Sequence, residues 1–145
     1  MEKTTRGIKL KEIQKNWIVI DADNVRLGKL ATKVASLLMG KQKVTRTSYL
    51  DGGDNVIVIN ATKISINQTS IDKKVYYWHS GFPGGLKSKS IVDLLAKKPE
   101  YVMKQAVWGM LPKNRMGRKM LRHMHVYAGA EHGMQAQNPT PVVIK

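Results

Sequence analysis

Cysteine is absent from this 145-residue chain, and acidic side chains are scarce. The absence of cysteine excludes disulfides, thiolate nucleophiles and cysteine-ligated zinc or iron–sulfur clusters. Ten Asp and Glu oppose 25 Lys and Arg, so the formal net charge is +15 and the isoelectric point is near 10.1. The longest apolar runs, such as Val56–Ile59, have the length of a strand and not of a membrane span. Several enzyme classes are thereby excluded, and we expect a strongly basic surface.

A surplus of positive charge on this scale repels itself unless a polyanion neutralises it. Nucleic acid is the first candidate partner. An anionic membrane is the second, but it requires an apolar anchor, a signal peptide or a basic helix with a bulky apolar face. The sequence shows none of these, and the stretch Met1–Arg6 lacks the apolar residues of an export signal. We therefore expect a cytoplasmic protein with no membrane partner.

The first half of the chain predicts an α/β domain with a parallel sheet. Trp17–Asp21 is a short apolar run typical of a buried strand, and Asp21, Asp23 and Asn24 are suited to cap a helix that follows. The next apolar residues are spaced as a helical stripe that Gly40 ends: Leu27, Leu30, Ala31, Val34, Leu37 and Leu38. Asn55–Asn60 is an unbroken β-branched run, typical of a strand that is covered on both faces.

The second half alternates short strands, loops and helices without an internal repeat or a long linker, which favours one domain over 1–145. We predict a capped helix from Ser90 that Pro99 ends, because Ser90 lies three residues before Asp93. The other predicted elements are a strand at Lys74–His79, a loop at Ser80–Gly85, a basic loop tip with Lys87 and Lys89, a helix from Glu100 to about Trp108, a strand at His125–Tyr127 and an irregular tail over 129–145.

The segment Lys113–Met124 carries the clearest functional signal. On a helix, four cations fall within an arc of roughly 100°: Arg115, Arg118, Lys119 and Arg122. Four apolar residues take the other side: Met116, Met120, Leu121 and Met124. No carboxylate occurs from Tyr101 through Ala130, whereas a merely solvated helix face normally mixes both signs. We therefore favour a phosphate-binding face over a solvated one.

Two further groups of residues are weaker candidates for RNA contact. Lys41, Lys43 and Arg46 follow the first predicted helix, where cations are also expected because they interact favourably with the helix dipole. The glycine-rich loop Ser80–Gly85, with Lys87 and Lys89 beyond it, can offer backbone amides and ammonium groups to a phosphate. It does not match a phosphate-binding Walker loop, because Leu86 precedes Lys87 where that motif requires glycine.

Four of the nine Phe, Trp and Tyr side chains lie beside this loop: Tyr76, Tyr77, Trp78 and Phe82. RNA bases can stack on exposed rings of this kind. We predict instead that at least Tyr77 or Trp78 packs in the core. Because strand residues alternate between faces, Tyr76 and Trp78 should point one way and Tyr77 and His79 the other.

Two groups of residues have the chemistry of an enzyme or metal site. Asp51 and Asp54 can hold a metal or act as a carboxylate pair, but the two glycines between them are ordinary turn chemistry, which we favour. His123, His125 and His132 can ligate zinc, although Glu131 is the only acidic residue near them. No nucleophile, base and orienting group are spaced as a catalytic set, so we predict neither a catalytic residue nor a metal site.

Taken with these features, four motifs make the sequence similar to the bacterial large-subunit ribosomal protein thirteen family, hereafter the L-thirteen family. They agree in order and spacing over residues 15–137. The motifs are Trp17–Ala22 with Leu27–Ala31, Gly53–Asp54 with Val56–Ala61, His79–Gly85, and Ala106–Asn114. One departure is His132–Gln137, where many members have His-Pro-His before Ala-Gln, so a contact by a second histidine is not expected here.

The resemblance implies a single three-layer α/β domain, with a small, mostly parallel sheet and helices on both faces. It implies a structural constituent of the large subunit that binds 23S-type rRNA, supports early assembly and has neighbouring ribosomal proteins as partners. It implies no catalytic activity, cofactor or small-molecule substrate, and a variable N-terminal extension over 1–15. The positions it marks as RNA-facing are His79, Gly84, Gly85, Lys87, Lys113, Asn114, Arg118 and Lys119.

Two other functions remain open at this point. A free RNA-binding protein that represses a message would use the same basic face. An enzyme acting on nucleotides or phosphate esters would rest on the glycine-rich loop and on Asp51 with Asp54.

Overall fold

The computed structural model describes residues 9–67, 71 and 73–144. Within these residues there are six strands: β1 Trp17–Asp21, β2 Asn55–Ile59, β3 Val75–His79, β4 Leu86–Ser90, β5 Met124–Val126 and β6 Thr140–Pro141. The described part also contains four α-helices: α1 Leu27–Leu38, α2 Ile91–Lys97, α3 Pro99–Met110 and α4 Arg115–Arg122. Of the predicted N-terminal extension, residues 1–8 lie outside the described residues.

Four of the strands form one parallel sheet in the order β5-β2-β1-β6, and β3 and β4 form a separate antiparallel hairpin. The single α/β domain with a small, mostly parallel sheet is therefore confirmed. Strand β2 lies inside the sheet, and Val56, Ile57 and Val58 are all fully buried. Strand β2 therefore has the position inside a parallel sheet that its unbroken β-branched run predicts.

One face of the sheet packs against the helices and forms the hydrophobic core with them. Two rows of paired residues cross it, Ile18 with Val56 and Met124, and Ile20 with Val58 and Val126. All six pack in one cluster with buried residues of α1 to α4, among them Leu30, Val107 and Met120. The connections β1 to β2 and β2 to β5 advance in the same direction along the sheet, so right-handed crossovers place their helices on this one face.

The opposite face has a thinner cover. The chain returns from β5 to β6 in the reverse direction, which takes a right-handed connection across this other face. In the described residues its helical structure is the single 3-10 turn Gln135–Gln137. Ile57 is nevertheless fully buried, because Trp17 and His125 stack on each other across β2 with ring centroids 5.7 Å apart.

Helix α1 confirms the predicted helix, but the predicted cap is wrong. Arg26 precedes the helix and makes no side-chain capping bond, and the Leu27 amide instead donates to the Ser65 carbonyl at 3.0 Å. The Asp21 carboxylate accepts from the Asn60 side chain and from the Asp23 amide, and these two hydrogen bonds, the one from Asn60 foremost, lower the pKa of Asp21. Gly40 does end the helix, in a left-handed conformation with φ of +66°.

The second half differs from the prediction in two places that affect the candidate site. Lys87 and Lys89 lie in strand β4 and not on a loop tip, because Leu86–Ser90 pairs with Val75–His79. The predicted core packing of Tyr77 or Trp78 is wrong, since both side chains are exposed. The hairpin pairs with no strand of the main sheet, and its residues Tyr77–His79 and Leu86–Lys89 are exposed on both faces.

The other predicted elements agree with the structure within about two residues. Ser90 caps α2 by accepting from the Asp93 amide, and Pro99 begins α3. Strand β5 starts one residue earlier than predicted, at Met124. The tail is not irregular throughout, because Thr140–Pro141 adds β6 to the edge of the sheet beside β1.

Candidate nucleic-acid interface

Helix α4 is held in one orientation on the body of the protein. The Asn114 side-chain oxygen accepts from the Gly117 amide at 2.8 Å and so caps the helix. A Cβ at Gly117 would lie 1.9 Å from the Pro112 carbonyl oxygen, so the helix and the preceding loop are closer than any other residue allows. Gly117 and Met120 are buried on the inner side. The rotation of the helix about its axis is therefore fixed.

This orientation places all four cations of the helix on the outside: Arg115, Arg118, Lys119 and Arg122. Within the described residues, no carboxylate lies within 4.0 Å of any of them. We call these four residues the α4 cationic face. It combines a rigid backbone with uncompensated charge, which is the arrangement that binds phosphates.

Lys113 and Asn114 lie at the start of this helix and already have internal partners. The Lys113 ammonium lies 4.4 Å from the centroid of the Trp108 ring and donates a hydrogen bond to the Trp108 carbonyl. The Asn114 oxygen is used by the cap, which leaves its amide nitrogen for another acceptor. Both residues are exposed.

The β3–β4 hairpin brings the aromatic and basic candidates together. Cross-strand pairs put Tyr76 opposite Lys89 and Trp78 opposite Lys87, so these four side chains share one face. Tyr76 contacts Tyr101 of α3 edge to face at 6.4 Å, and burial, with a smaller effect of Tyr101, raises the pKa of Tyr76. The Lys89 ammonium lies 5.7 Å from the Trp78 ring centroid. The hairpin is thus anchored at Tyr76 and carries exposed lysines further out.

The turn of the hairpin contains the remaining candidates. His79 accepts from the Gly81 amide through Nδ1 at 2.9 Å. Gly84 has φ of +69°, and a Cβ at Gly85 would lie 2.2 Å from the Ser80 hydroxyl oxygen. Both glycines are required by the turn itself, so their presence does not by itself indicate a phosphate contact.

The group at Lys41, Lys43 and Arg46 is not uniform. The Lys43 ammonium lies 2.5 Å from a carboxylate oxygen of Asp54, and it also donates to the Gln14 and Gly52 carbonyls. Lys43 therefore holds the loop before β2 in place. Lys41 and Arg46 are exposed, and Arg46 donates to the Met39 carbonyl at 3.3 Å.

The predicted turn over Asp51–Asp54 does not form, and the carboxylates of Asp51 and Asp54 have different partners. Asp54 is buried and accepts from the Asn16 amide and the Gln42 side chain in addition to Lys43. Asp51 accepts from Lys15 at 2.7 Å and lies 2.8 Å from His123 Nε2. Each carboxylate is thus used in a different set of structural contacts.

The three histidines that are candidate zinc ligands also have different partners. His123 pairs with Asp51, His125 stacks on Trp17, and His132 lies beside the Tyr127 ring. Burial, followed by the charges of His123 and Lys104, lowers the pKa of His125. In the described part of the chain, no three His, Asp or Glu side chains are grouped so that they can hold a metal ion.

Sequence reasoning missed a groove between α3 and α4. It is lined by Tyr101, Lys104, Gln105, Trp108, Arg118, Leu121 and Arg122, and its volume is about 350 Å³. The signal was present, because Tyr101, Lys104, Gln105 and Trp108 are spaced along one side of a helix. What the sequence does not give is the packing of that side beside the α4 cationic face.

Fold and surface together define a small, strongly basic α/β protein whose exposed cations include the four of α4 and two lysines of the hairpin. The model of the family described as ribosomal protein L13 matches residues 15–133. The chain belongs to this family. It is therefore a ribosomal protein and not an enzyme.

Curated relatives from distant bacteria agree with this assignment. The chain is 51% identical to large ribosomal subunit protein uL13 of Thermotoga petrophila over 142 residues, 98% of this chain and 95% of the relative. It is 50% identical to the uL13 protein of Exiguobacterium sibiricum over 137 residues, 94% of each chain. For uL13 of Geobacter sulfurreducens the identity is 47% over 137 residues, 94% of this chain and 96% of the relative.

No helix in the described residues is both long and apolar enough to cross a membrane.

Proposed function

We propose that the protein is a structural constituent of the large ribosomal subunit that binds 23S-type rRNA and supports early assembly of the subunit. The observation that carries this proposal is the α4 cationic face, whose four cations have no carboxylate partner in the described residues. Relatives across bacteria that are named large ribosomal subunit protein uL13 support the same assignment.

The physical basis of binding is release of counterions. Each phosphate that an arginine or lysine neutralises frees condensed cations from the RNA, so affinity falls as salt rises. The free protein carries unbalanced positive charge at fixed positions, so its binding free energy is most favourable for a partner whose phosphates have the same spacing. Arginine suits this contact, because its planar guanidinium donates two parallel hydrogen bonds to one phosphate.

The proposed interface joins the α4 cationic face to the hairpin. Its residues are His79, Gly84, Gly85, Lys87, Lys89, Lys113, Asn114, Arg115, Arg118, Lys119 and Arg122. Lys41 and Arg46 form a second, smaller contact. Lys43 is left out, because its ammonium is occupied by Asp54 and two carbonyls.

The partners in this proposal are large-subunit rRNA and neighbouring large-subunit proteins, in the cytoplasmic ribosome. Sedimentation of cell extracts in sucrose gradients tests it. The protein should travel with large subunits in a one-to-one ratio and stay with them in high salt. A protein that instead washes off into the free fractions would act as a regulator of messages and not as a ribosomal constituent.

A further inference from the structure

The groove between α3 and α4 has the size and lining of a ligand site. Its volume of about 350 Å³ lies near the lower end of the range of small-ligand sites, roughly 300–1,000 Å³. A second depression of about 500 Å³ continues from it and shares Tyr101 and Lys104 with it. The two depressions lie next to each other along α3.

Flat apolar surface forms the floor of this groove. Tyr101 is exposed over 43% of its surface, and Trp108 and Leu121 are half-buried. The Tyr101 ring is held from behind by its edge contact with Tyr76, and the Trp108 ring by the Lys113 ammonium. The aromatic rings are therefore fixed in place before a ligand arrives, so stacking on them costs little side-chain entropy.

Positive charge dominates the rim. Arg118 and Arg122 of the α4 cationic face border the groove, and Lys97, Lys98 and Lys104 border its continuation. Among the described residues, Glu100 is the one carboxylate that lines either part, and it lies 3.8 Å from the Lys104 ammonium. The exposed amide of Gln105 adds a group that both donates and accepts hydrogen bonds.

We propose that this groove binds one unpaired nucleotide of a structured RNA, with its base against Tyr101 and Trp108 and its phosphates against Arg118 and Arg122. Every base offers a flat face to an aromatic ring, whereas a base in a continuous duplex has both faces covered by its neighbours. An acidic protein segment would match the charge of the rim, but it would leave the ring faces and the Gln105 amide unused.

This inference rests on the proposed RNA binding and adds the class of nucleotide that is bound. The test uses two RNA hairpins that are identical except for one unpaired adenosine in the stem of the first. Binding of the full chain is measured by fluorescence anisotropy over a range of salt concentrations. Tyr101→Ala removes the ring, and Tyr101→Phe is the matched control that keeps it.

The wild-type protein should bind the RNA with the unpaired adenosine about 5- to 150-fold more tightly, which is the range for loss of one stacked base. Tyr101→Ala should bring the two affinities together and leave the salt slope unchanged, because stacking releases no counterions. Tyr101→Phe should keep the preference.

A second measurement needs no variant and is therefore independent of any folding defect in Tyr101→Ala. When 2-aminopurine replaces the unpaired adenosine, its fluorescence should fall on binding to the wild-type protein, because the base stacks on a ring. Equal, salt-dependent affinity for both RNAs with unchanged fluorescence would overturn the groove proposal and leave the proposed function standing. Salt-independent binding to both RNAs would overturn the proposed function as well.

Discussion

Replacement of Arg118 and Lys119 by alanine tests the α4 cationic face most sharply, because the helix beneath these residues is fixed. Both side chains are exposed, and neither has an ion-pair partner in the described residues. If each contacts one phosphate, the double variant should reduce the slope of log affinity against log salt by about one unit per contact. From about 50 to 200 mM salt, those two units correspond to roughly a 16-fold difference in affinity.

The stability of the double variant should be nearly unchanged. Substitutions at exposed positions without special contacts usually alter the free energy of unfolding by less than about 0.5 kcal/mol. Removal of two like charges from a chain of net charge +15 lowers its self-repulsion. Thermal unfolding followed by circular dichroism is the matching measurement.

The control removes the same charge from another helix. Lys29→Ala with Lys33→Ala changes two exposed lysines of α1, which lie beside Val143 and Ile144 of the C-terminal tail. This pair should change the slope for the rRNA fragment much less than the α4 pair does. Equal effects of the two pairs, or unfolding of the α4 variant, would refute the assignment of RNA binding to α4.

Three further variants test contacts inside the folded protein. Met120→Ala, on the buried side of α4, should lower the free energy of unfolding by about 2–5 kcal/mol in urea titrations, with an unchanged salt slope for the folded fraction; a neutral result would contradict the assigned helix orientation. Asp54→Asn should cost about 3–5 kcal/mol by the same measurement, because it leaves the part-buried Lys43 ammonium without its counter-charge; Asp93→Asn, at an exposed position, is the comparison, and similar losses would argue against a structural role for Asp54. Because the pKa of His125 is lowered in the folded protein, its imidazole is protonated in the unfolded chain at a higher pH than in the folded one. The free energy of unfolding of the wild type should therefore fall relative to that of His125→Phe as the pH drops below about 6.5. Parallel pH profiles of the two proteins would contradict this.

Local patterns predicted much of the fold, because the forces that set these elements act between near neighbours in sequence. The apolar stripe from Leu27 and the stop at Gly40 define α1 without reference to the rest of the chain. The unbroken run of β2 likewise indicates its place inside a parallel sheet. The four cations of α4 share one face for the same reason, since helical spacing alone decides it.

The errors arose where the partner of a residue lies far away in sequence. The start of α1 is held by the Ser65 carbonyl, which no nearby pattern reveals, so the local sequence instead predicts a cap from Asp21, Asp23 or Asn24. Alternation along β3 separated Tyr77 from Trp78, but only the pairing with β4, away from the main sheet, shows that both are exposed.

The candidate site shows the same division. In the sequence, Lys43 cannot be distinguished from Lys41 and Arg46 as a candidate RNA contact. In the folded protein, Asp54 lies beside it and pairs with its ammonium. The groove required α3 and α4 to lie side by side, and that arrangement depends on the close approach of Gly117 to the Pro112 carbonyl. The sequence predicts which residues share one face of a helix, but it does not predict the surfaces that form between two elements.

Directed cleavage of rRNA gives the most direct test that the α4 cationic face lies on RNA. Because the chain has no cysteine, Arg115→Cys introduces a single attachment point for an iron chelate that generates hydroxyl radicals, and Lys33→Cys on α1 provides the matched control. In reconstituted large subunits, the probe at position 115 should cleave 23S-type rRNA at discrete nucleotides and more strongly than the probe at position 33. Absence of cleavage from position 115 in particles that contain the protein would contradict the account.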